Sequence, residues 1–503
     1  MRQGQDGVDW GALKAHLPDI VAEMERHVPY ASILVTSSEG LTLRINHRER
    51  QVEPADPRQG AVLTAWCGDH MEEWATTALD PDRLWREARE FLRSVRVAPG
   101  GLQVDPGEPL VAEFATPVQI DPRTVPLRDK FAQCQEEHAR LAALDRRVLN
   151  AEVRLLESRE RKLFANRHRL LSQEISRIRY FLLLVVHEGG ETAYHWHTRD
   201  GTGGLEIARV SEEKVAELRD VAVALLRAER VEPGYYDCVA SPSVAGTIAH
   251  EAFGHGVEMD MFLKGRARAA QYVGKQVASP LVSILDDPTV EGAYGSYFVD
   301  DEGHLAQPTY IIRQGIFERG LTDLYSATHL GVVRTANGRR EAFTHKVYPR
   351  MSNTYFARGE TPVEAIIQSV DRGIYLDHLS SGMEDPKNWG LQVTAHLGRE
   401  IVGGKFTGRL FSPVGITGYV PDVLQSISMV GDDFALSGGW CGKGHKEWVP
   451  SPTAGLTSAS GPGWADPERG EHHGTRASAG HRPRPGAPRR PGLVRAHGAA
   501  PVL

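Results

Sequence analysis

The sequence predicts an α+β protein. A mixed α/β N-terminal domain is expected over residues 1–232, followed over 233–455 by a β-rich domain that carries a His-Glu-x-x-x-His helix. Three observations lead there. Helical periodicity and strand-like alternation interleave up to about Glu232. From Gly234 the text becomes Gly-rich and breaks into many short strand-like runs, the pattern of a sheet sandwich or barrel-like domain. From about Leu456 apolar periodicity disappears. Residues 456–503 hold seven Arg, no Lys and three acids among many Gly, Pro and Ala. Such composition cannot bury enough apolar surface to order itself, so a disordered tail is expected. Lys-free, Arg- and Pro-rich text is also what a shifted reading frame gives in GC-rich DNA.

The elements follow in order. Leu13, Leu17, Ile20, Val21 and Met24 recur at spacings of three and four and predict a helix over 10–27. Strands are expected over 31–36, 41–46 and 61–67, with a hairpin turn at Ser38-Glu39-Gly40. A second helix over 81–94 places Leu84, Ala88, Phe91 and Leu92 on one face. Charged text over 127–160, with Leu141, Leu144, Val148, Val153 and Leu156, reads as helical. Strands over 161–164, 174–186 and 191–198 close the first domain. In the second, helices are expected near its start and over 362–371. Strands are expected over 281–285, 308–313, 387–397, 400–402 and 408–412.

Composition excludes several classes. The chain has 503 residues, 41% hydrophobic and 24% charged, which rules out collagen, a wholly disordered chain and a small disulfide scaffold. The longest apolar run, 180–186, is far short of the ~20 residues a spanning helix needs. No membrane association is expected, and the N-terminus has no export signal pattern. With a net charge of −7 and no basic stripe, nucleic acid is not expected as a partner. Four cysteines without a CxxC pair point to a reducing, cytoplasmic setting. Cys67, Cys134 and Cys238 read as small buried hydrophobes.

The chemistry-bearing motif is Thr247–Asp260, TIAHEAFGHGVEMD, with His250, Glu251 and His255. The zinc-protease helix has its histidines at i and i+4, on one face. Here the second is at i+5, about 140° further round an ideal helix. Both rings reach one metal only if the helix ends there or is widened by a π-bulge, and Gly254 and Gly256 permit either. A catalytic zinc takes three protein ligands and keeps one position open. The third is open between Cys441, in the glycine-rich run 438–444, and Glu258.

At this point the chain resembles the TldD/PmbA metalloprotease family, in its catalytic TldD-like branch. The resemblance covers about residues 10–450. It rests on HEAFGHGVEMD at 250–260, SYFVDDEG at 296–303, NGRRE at 337–341, RMSNTYF at 350–356 and WCGKG at 440–444. It implies Zn2+ held by His250, His255 and Cys441, with Glu251 as general base. It implies unfolded or small peptides as substrates, precursors of modified peptides among them. It also implies a dimer, either of two copies or with a paralogous TldE/PmbA-like subunit. The alternative is a non-catalytic regulatory or binding subunit of such a complex. After Cys441-Gly442-Lys443 the text departs from the family's glycine-rich continuation.

Other constellations have plainer readings. His195 and His197 share one side of a strand and read as a polar strand face. Asp300-Asp301-Glu302-Gly303 reads as a turn that could shape a cleft, since it lacks the calcium-loop pattern. Asn337–Arg340 reads as a solvated turn or an anion-binding or dimer loop. Arg350–Thr354 reads as cleft wall by resemblance alone. Glu258 and Asp260 are candidates for orienting a ligand histidine.

Overall fold

The computed structural model describes residues 7–444, 446–451, 453–455, 458–466 and 494–497. The chain opens with α1 (Trp10–Met24), capped by the Asp9 side chain, which accepts from the Ala12 amide. Strands β1 (Tyr30–Asn46), β2 (Arg50–Trp66) and β3 (Met71–Thr76) follow, then α2 (Pro81–Ser94), β4 (Leu110–Ala115) and α3 (Leu127–Ala142). The long hairpin of β5 (Val148–Asn166) and β6 (Arg169–Glu188) leads to β7 (Glu191–Thr202) and α4 (Glu212–Leu225). These strands form one sheet in the order β3-β2-β1-β5-β6-β4, with β7 also on β6. Only β4 runs parallel to its neighbour. Leu13, Leu17, Ile20 and Phe91 of α1 and α2 pack on Ile33, Val35 and Leu63. Leu141, Val215 and Leu218 of α3 and α4 pack on Leu155, Leu182 and Leu184.

The expected helix over 127–160 ends at Ala142, and from Val148 the chain is strand β5. Its charged residues are not a solvated helix face. Some pair within the first half, as Glu157 does with Lys130 of α3, while Glu160 and Lys162 belong to a polar sheet face that docks on the second half of the chain. Lys162 Nζ lies 2.6 Å from Asp301 Oδ1 and 2.9 Å from Glu160 Oε1. The Arg177 guanidinium donates to the carbonyls of Tyr294 and Ser296, and the Gln173 amide donates to the carbonyl of Val299. Because the charges are paired, the face can be buried.

In the second half β8 (Gly234–Ala240) runs directly into α5 (Pro242–Phe253). Next come β9 (Ile284–Asp286), β10 (Thr309–Arg313), β11 (Ile316–Phe317), β12 (Gly338–Arg339), β13 (Tyr348–Pro349) and β14 (Thr354–Phe356). They are followed by β15 (Arg372–Asp385), β16 (Gly390–Val402), β17 (Lys405–Phe411) and β18 (Val414–Tyr419). The last strands are β19 (Ile427–Val430), β20 (Ala435–Ser437), β21 (Trp440–Lys443), β22 (Lys446–Pro450), β23 (Thr453–Gly455), β24 (Ser458–Asp466) and β25 (Val494–His497). One sheet has the order β11-β10-β9-β14-β23-β20. The other has the order β15-β8-β24-β25-β18-β16-β17, with β19 on β24 and β15 also paired to β16.

Helix α5 fills the layer between these sheets. It packs on β14, β20 and β23 of one and on β8, β15 and β16 of the other. Val244, Ala245, Ala249, Ala252 and Phe253 are therefore buried all round. The sheet pattern of the sequence is present, but a helix supplies the middle of the core. The strands expected over 387–397 and 400–402 are one strand, β16. Within the tail expected over 456–503, Ser458–Asp466 and Val494–His497 are strands paired to β8 and β18. Residues 456–457, 467–493 and 498–503 lie outside the described residues. The α+β class is the one the sequence predicts. Among the described residues no helix is long and apolar enough to cross a membrane.

Candidate metal centre

Helix α5 begins with Pro242 in its first turn, where a missing N–H costs nothing. It ends at Phe253, so His250 and Glu251 occupy its last turn. Gly254 is the C-cap, and its N–H closes on the His250 carbonyl at 3.0 Å. A 3-10 turn, His255–Val257, follows. Of the two routes open for an i+5 pair, the helix takes the one that ends between the histidines. The imidazole centroids lie 5.2 Å apart, at right angles. Gly254 makes this possible by close approach: a Cβ there would collide with the Met351 sulfur and the His250 carbonyl. Gly254→Ala is expected to cost about 1–3 kcal/mol through that overlap. It should also lower metal content, as read by thermal melting and metal analysis of one preparation.

Cys441 arrives on the β21–β22 hairpin. Its Sγ is 3.1 Å from His255 Nε2, and ligand atoms of His250, His255 and Cys441 all lie within 4.8 Å of one another. Glu258 is not in this group. Its carboxylate accepts from Arg350 Nε at 3.1 Å and Lys443 Nζ at 2.7 Å, and it faces His255 Nδ1 at 3.7 Å. It thus stands behind the His255 ring, the position from which a carboxylate orients a histidine. Asp260 is one step further back, on Lys443 at 2.7 Å.

Arg350 was legible only as a residue of a cleft-wall motif, and it lines no cleft. It is wholly buried beneath the cysteine. Its Nη2 donates to both Sγ and the carbonyl of Cys441 at 3.0 Å, and its Nη1 donates to the Glu447 carbonyl. Burial alone would push the Cys441 thiol up, but the His255 and His250 rings pull it well below its usual range. Burial raises the Glu258 carboxyl, and Lys443 and Arg350 outweigh it and hold the group low. The donor set fits a thiophilic dication: two imidazoles, a thiol held toward thiolate, and an enclosed His250 Nδ1 without a hydrogen-bond partner among the described residues.

A cleft of about 750 Å³ opens beside the cluster. His250, Glu251 and Trp440 line it, as do His195, His197 and His378. The plain strand-face reading of His195 and His197 therefore misses their place. Burial depresses both rings, His195 to about 2 and His197 to about 4, so both are neutral near pH 7. At Gly382, β15 passes so close to α5 that a Cβ would lie 2.9 Å from Glu251 Cγ. Glu384, absent from the sequence reading, is half-buried, with both carboxyl oxygens enclosed and unpartnered among the described residues. Burial, with Glu251 and Glu258 nearby, raises it to about 9.

The remaining motifs lie away from the cleft. Asp300 caps its own turn by accepting the amides of Glu302 and His304, and Asp301 pairs with Lys162. Asn337, Arg339 and Arg340 are buried, so they form no solvated turn. Asn337, Ser352 and Thr354 side chains all donate to the Asp286 carboxylate. Cys67, Cys134 and Cys238 are buried and form no disulfide.

Residues 233–454 match the model of the PmbA/TldA metallopeptidase C-terminal domain. A metalloprotease of Methanothermobacter thermautotrophicus is 28% identical over 434 residues, covering 85% of this chain and 93% of that protein. A metalloprotease TldD homolog of Buchnera aphidicola subsp. Acyrthosiphon pisum is 32% identical over 331 residues, 60% of this chain and 65% of that protein. The solved TldE of Thermococcus kodakarensis has the same fold. Its TM-score is 0.67 at 15% identity, over 89% of this chain and 98% of that one. Sequence likeness to these metalloproteases makes the chain a metallopeptidase-family protein. Its residues 233–454 form a domain of the TldD/PmbA family, and the sequence likeness to metalloproteases extends over most of the chain.

Proposed function

We propose that the chain is a zinc-dependent peptidase acting on unfolded or small peptides, precursors of modified peptides among them. Its ligands are His250, His255 and Cys441. The observation that carries this reading is the convergence of those three donors beside a cleft that Glu251 also lines. Zinc held there would supply a Lewis acid that lowers the pKa of its bound water to about 7 and polarises a carbonyl. Glu251 takes the proton of the attacking water and returns it to the leaving amine. Glu258 holds the His255 ring in place, and Arg350 holds the Cys441 sulfur. Strand β20 ends its sheet among the described strands and lines the cleft, so an extended peptide can pair with its free edge. That mode reads main chain and accepts many sequences. The working unit is a cytoplasmic dimer, of two copies or with a TldE/PmbA-like paralogue. The fold shared with TldE supports the second form.

The test is metal content per folded chain, wild type beside Cys441→Ser. About one zinc in wild type is expected, reduced more than about tenfold in Cys441→Ser. A folded wild-type chain that binds no zinc when supplied with it would sink the reading.

A further inference from the structure

Away from the Cys441 cluster a second set of donors converges. Glu341 and His345 lie on the loop between β12 and β13, and Glu447 lies on β22. Each brings one ligand-capable atom within 4.8 Å of the other two. Glu341 Oε2 is 3.9 Å from His345 Nε2, too far for a hydrogen bond. Two atoms held at about 2.1 Å by one tetrahedral ion sit about 3.4 Å apart, so a small rotation lets the pair share one.

Glu447 separates this group from an ordinary surface acid cluster. The residue is only 8% exposed, and its Oε2 is enclosed with no hydrogen-bond partner among the described residues. A buried carboxylate oxygen without a donor is costly, and a cation between the acids removes that cost. Among the described residues the charged neighbours do not supply it. Arg58 Nη1 stands 4.0 Å from the outer oxygen of Glu341. Arg340 is engaged with the His345 carbonyl and with Glu73. The Trp448 amide donates to Glu341 Oε2 at 3.0 Å, which leaves that carboxylate further lone pairs for a metal.

We propose that Glu341, His345 and Glu447 form a second divalent-cation site, separate from the Cys441 cluster. Two carboxylates and an imidazole without a thiolate suit a harder ion than the Cys441 cluster does, Mn2+ in particular. The site ties the 341–345 loop to the β21–β22 hairpin. The Glu447 carbonyl accepts from Arg350, which donates to Cys441, so an ion here steadies the hairpin that presents the cysteine.

The probe is Mn2+ titrated into the full chain, wild type and Cys441→Ser in parallel, with free Mn2+ read by electron paramagnetic resonance. Saturable uptake of about one Mn2+ is expected in Cys441→Ser and at least that in wild type. Adding His345→Ala or Glu447→Gln to Cys441→Ser should weaken uptake more than about tenfold. The His345 side chain is 37% exposed, so its replacement carries the test even if Glu447→Gln fails to fold. Absence of saturable uptake in wild type overturns the proposal, as does uptake that His345→Ala leaves unchanged. Uptake that vanishes in folded Cys441→Ser would assign the ion to the other cluster and equally overturn it. None of these readouts depends on peptide cleavage or on zinc at Cys441.

Discussion

Glu251→Gln should lower peptide hydrolysis by about 10²- to 10⁴-fold, the range a positioned general base supplies. Zinc content and melting temperature should stay at wild-type values. The residue lies in the last turn of α5 next to His250, lines the cleft, and is outside the three-donor cluster. On the proposed reading, its removal takes away the proton acceptor and leaves the three donors in place. A second carboxyl, Glu384, stands nearby, but burial and the Glu251 and Glu258 carboxylates favour its protonated form, which makes it a poor substitute for Glu251 as a proton acceptor. The measurement is kcat on an unstructured peptide, with zinc determined in the same samples. Activity within about threefold of wild type, at full zinc, would remove Glu251 from the mechanism.

The parts of the site that were legible in the sequence are local. His250, Glu251 and His255 sit within six residues, and the flanking glycines announce the bent backbone between them. Cys441 needed a family likeness, because nothing within its own segment says which helix it faces. Arg350 was legible only as one residue of a motif, and its buried role beneath Cys441 was out of reach. It meets Glu258 across 92 residues and Cys441 across 91, and a lone arginine carries no periodic signal. The fold shows the same division. α1 and α2 follow from apolar spacing, and each is marked by an Asp cap, Asp9 and Asp80. β5 was misread because its polar face alternates with Ala151, Val153 and Leu155 and is covered by another part of the chain. Alternation reports which side is apolar, not what the polar side touches. His195 and His197 were placed on one strand side for the right reason. That this side forms the cleft depends on β15, which brings His378 to within 4.3 Å of the His195 ring centroid.

Arg350→Met is expected to be the most damaging single substitution away from the metal ligands. The wild-type side chain is wholly buried and donates to one carboxylate, one sulfur and two carbonyls. Met keeps much of the volume and loses every donor. Glu258 would then have lost one of its two cationic partners while still buried. Removing one member of a buried pair costs about 3–5 kcal/mol. At roughly 2–4 °C per kcal/mol for a domain of this size, melting should fall by about 6–20 °C. Zinc should be lost with it, since the sulfur and the hairpin carbonyls are anchored by the same guanidinium. Arg350→Lys separates charge from shape. Lysine preserves the positive charge beside Glu258 but cannot span Glu258, Cys441 and Glu447 with one planar fork. If charge alone matters, Lys restores most of the melting temperature and the zinc. If the fork matters, Lys restores part of the stability while zinc stays low, and that is the expected result. A melting temperature in Arg350→Met within about 1 °C of wild type would show that the hairpin holds Cys441 without it.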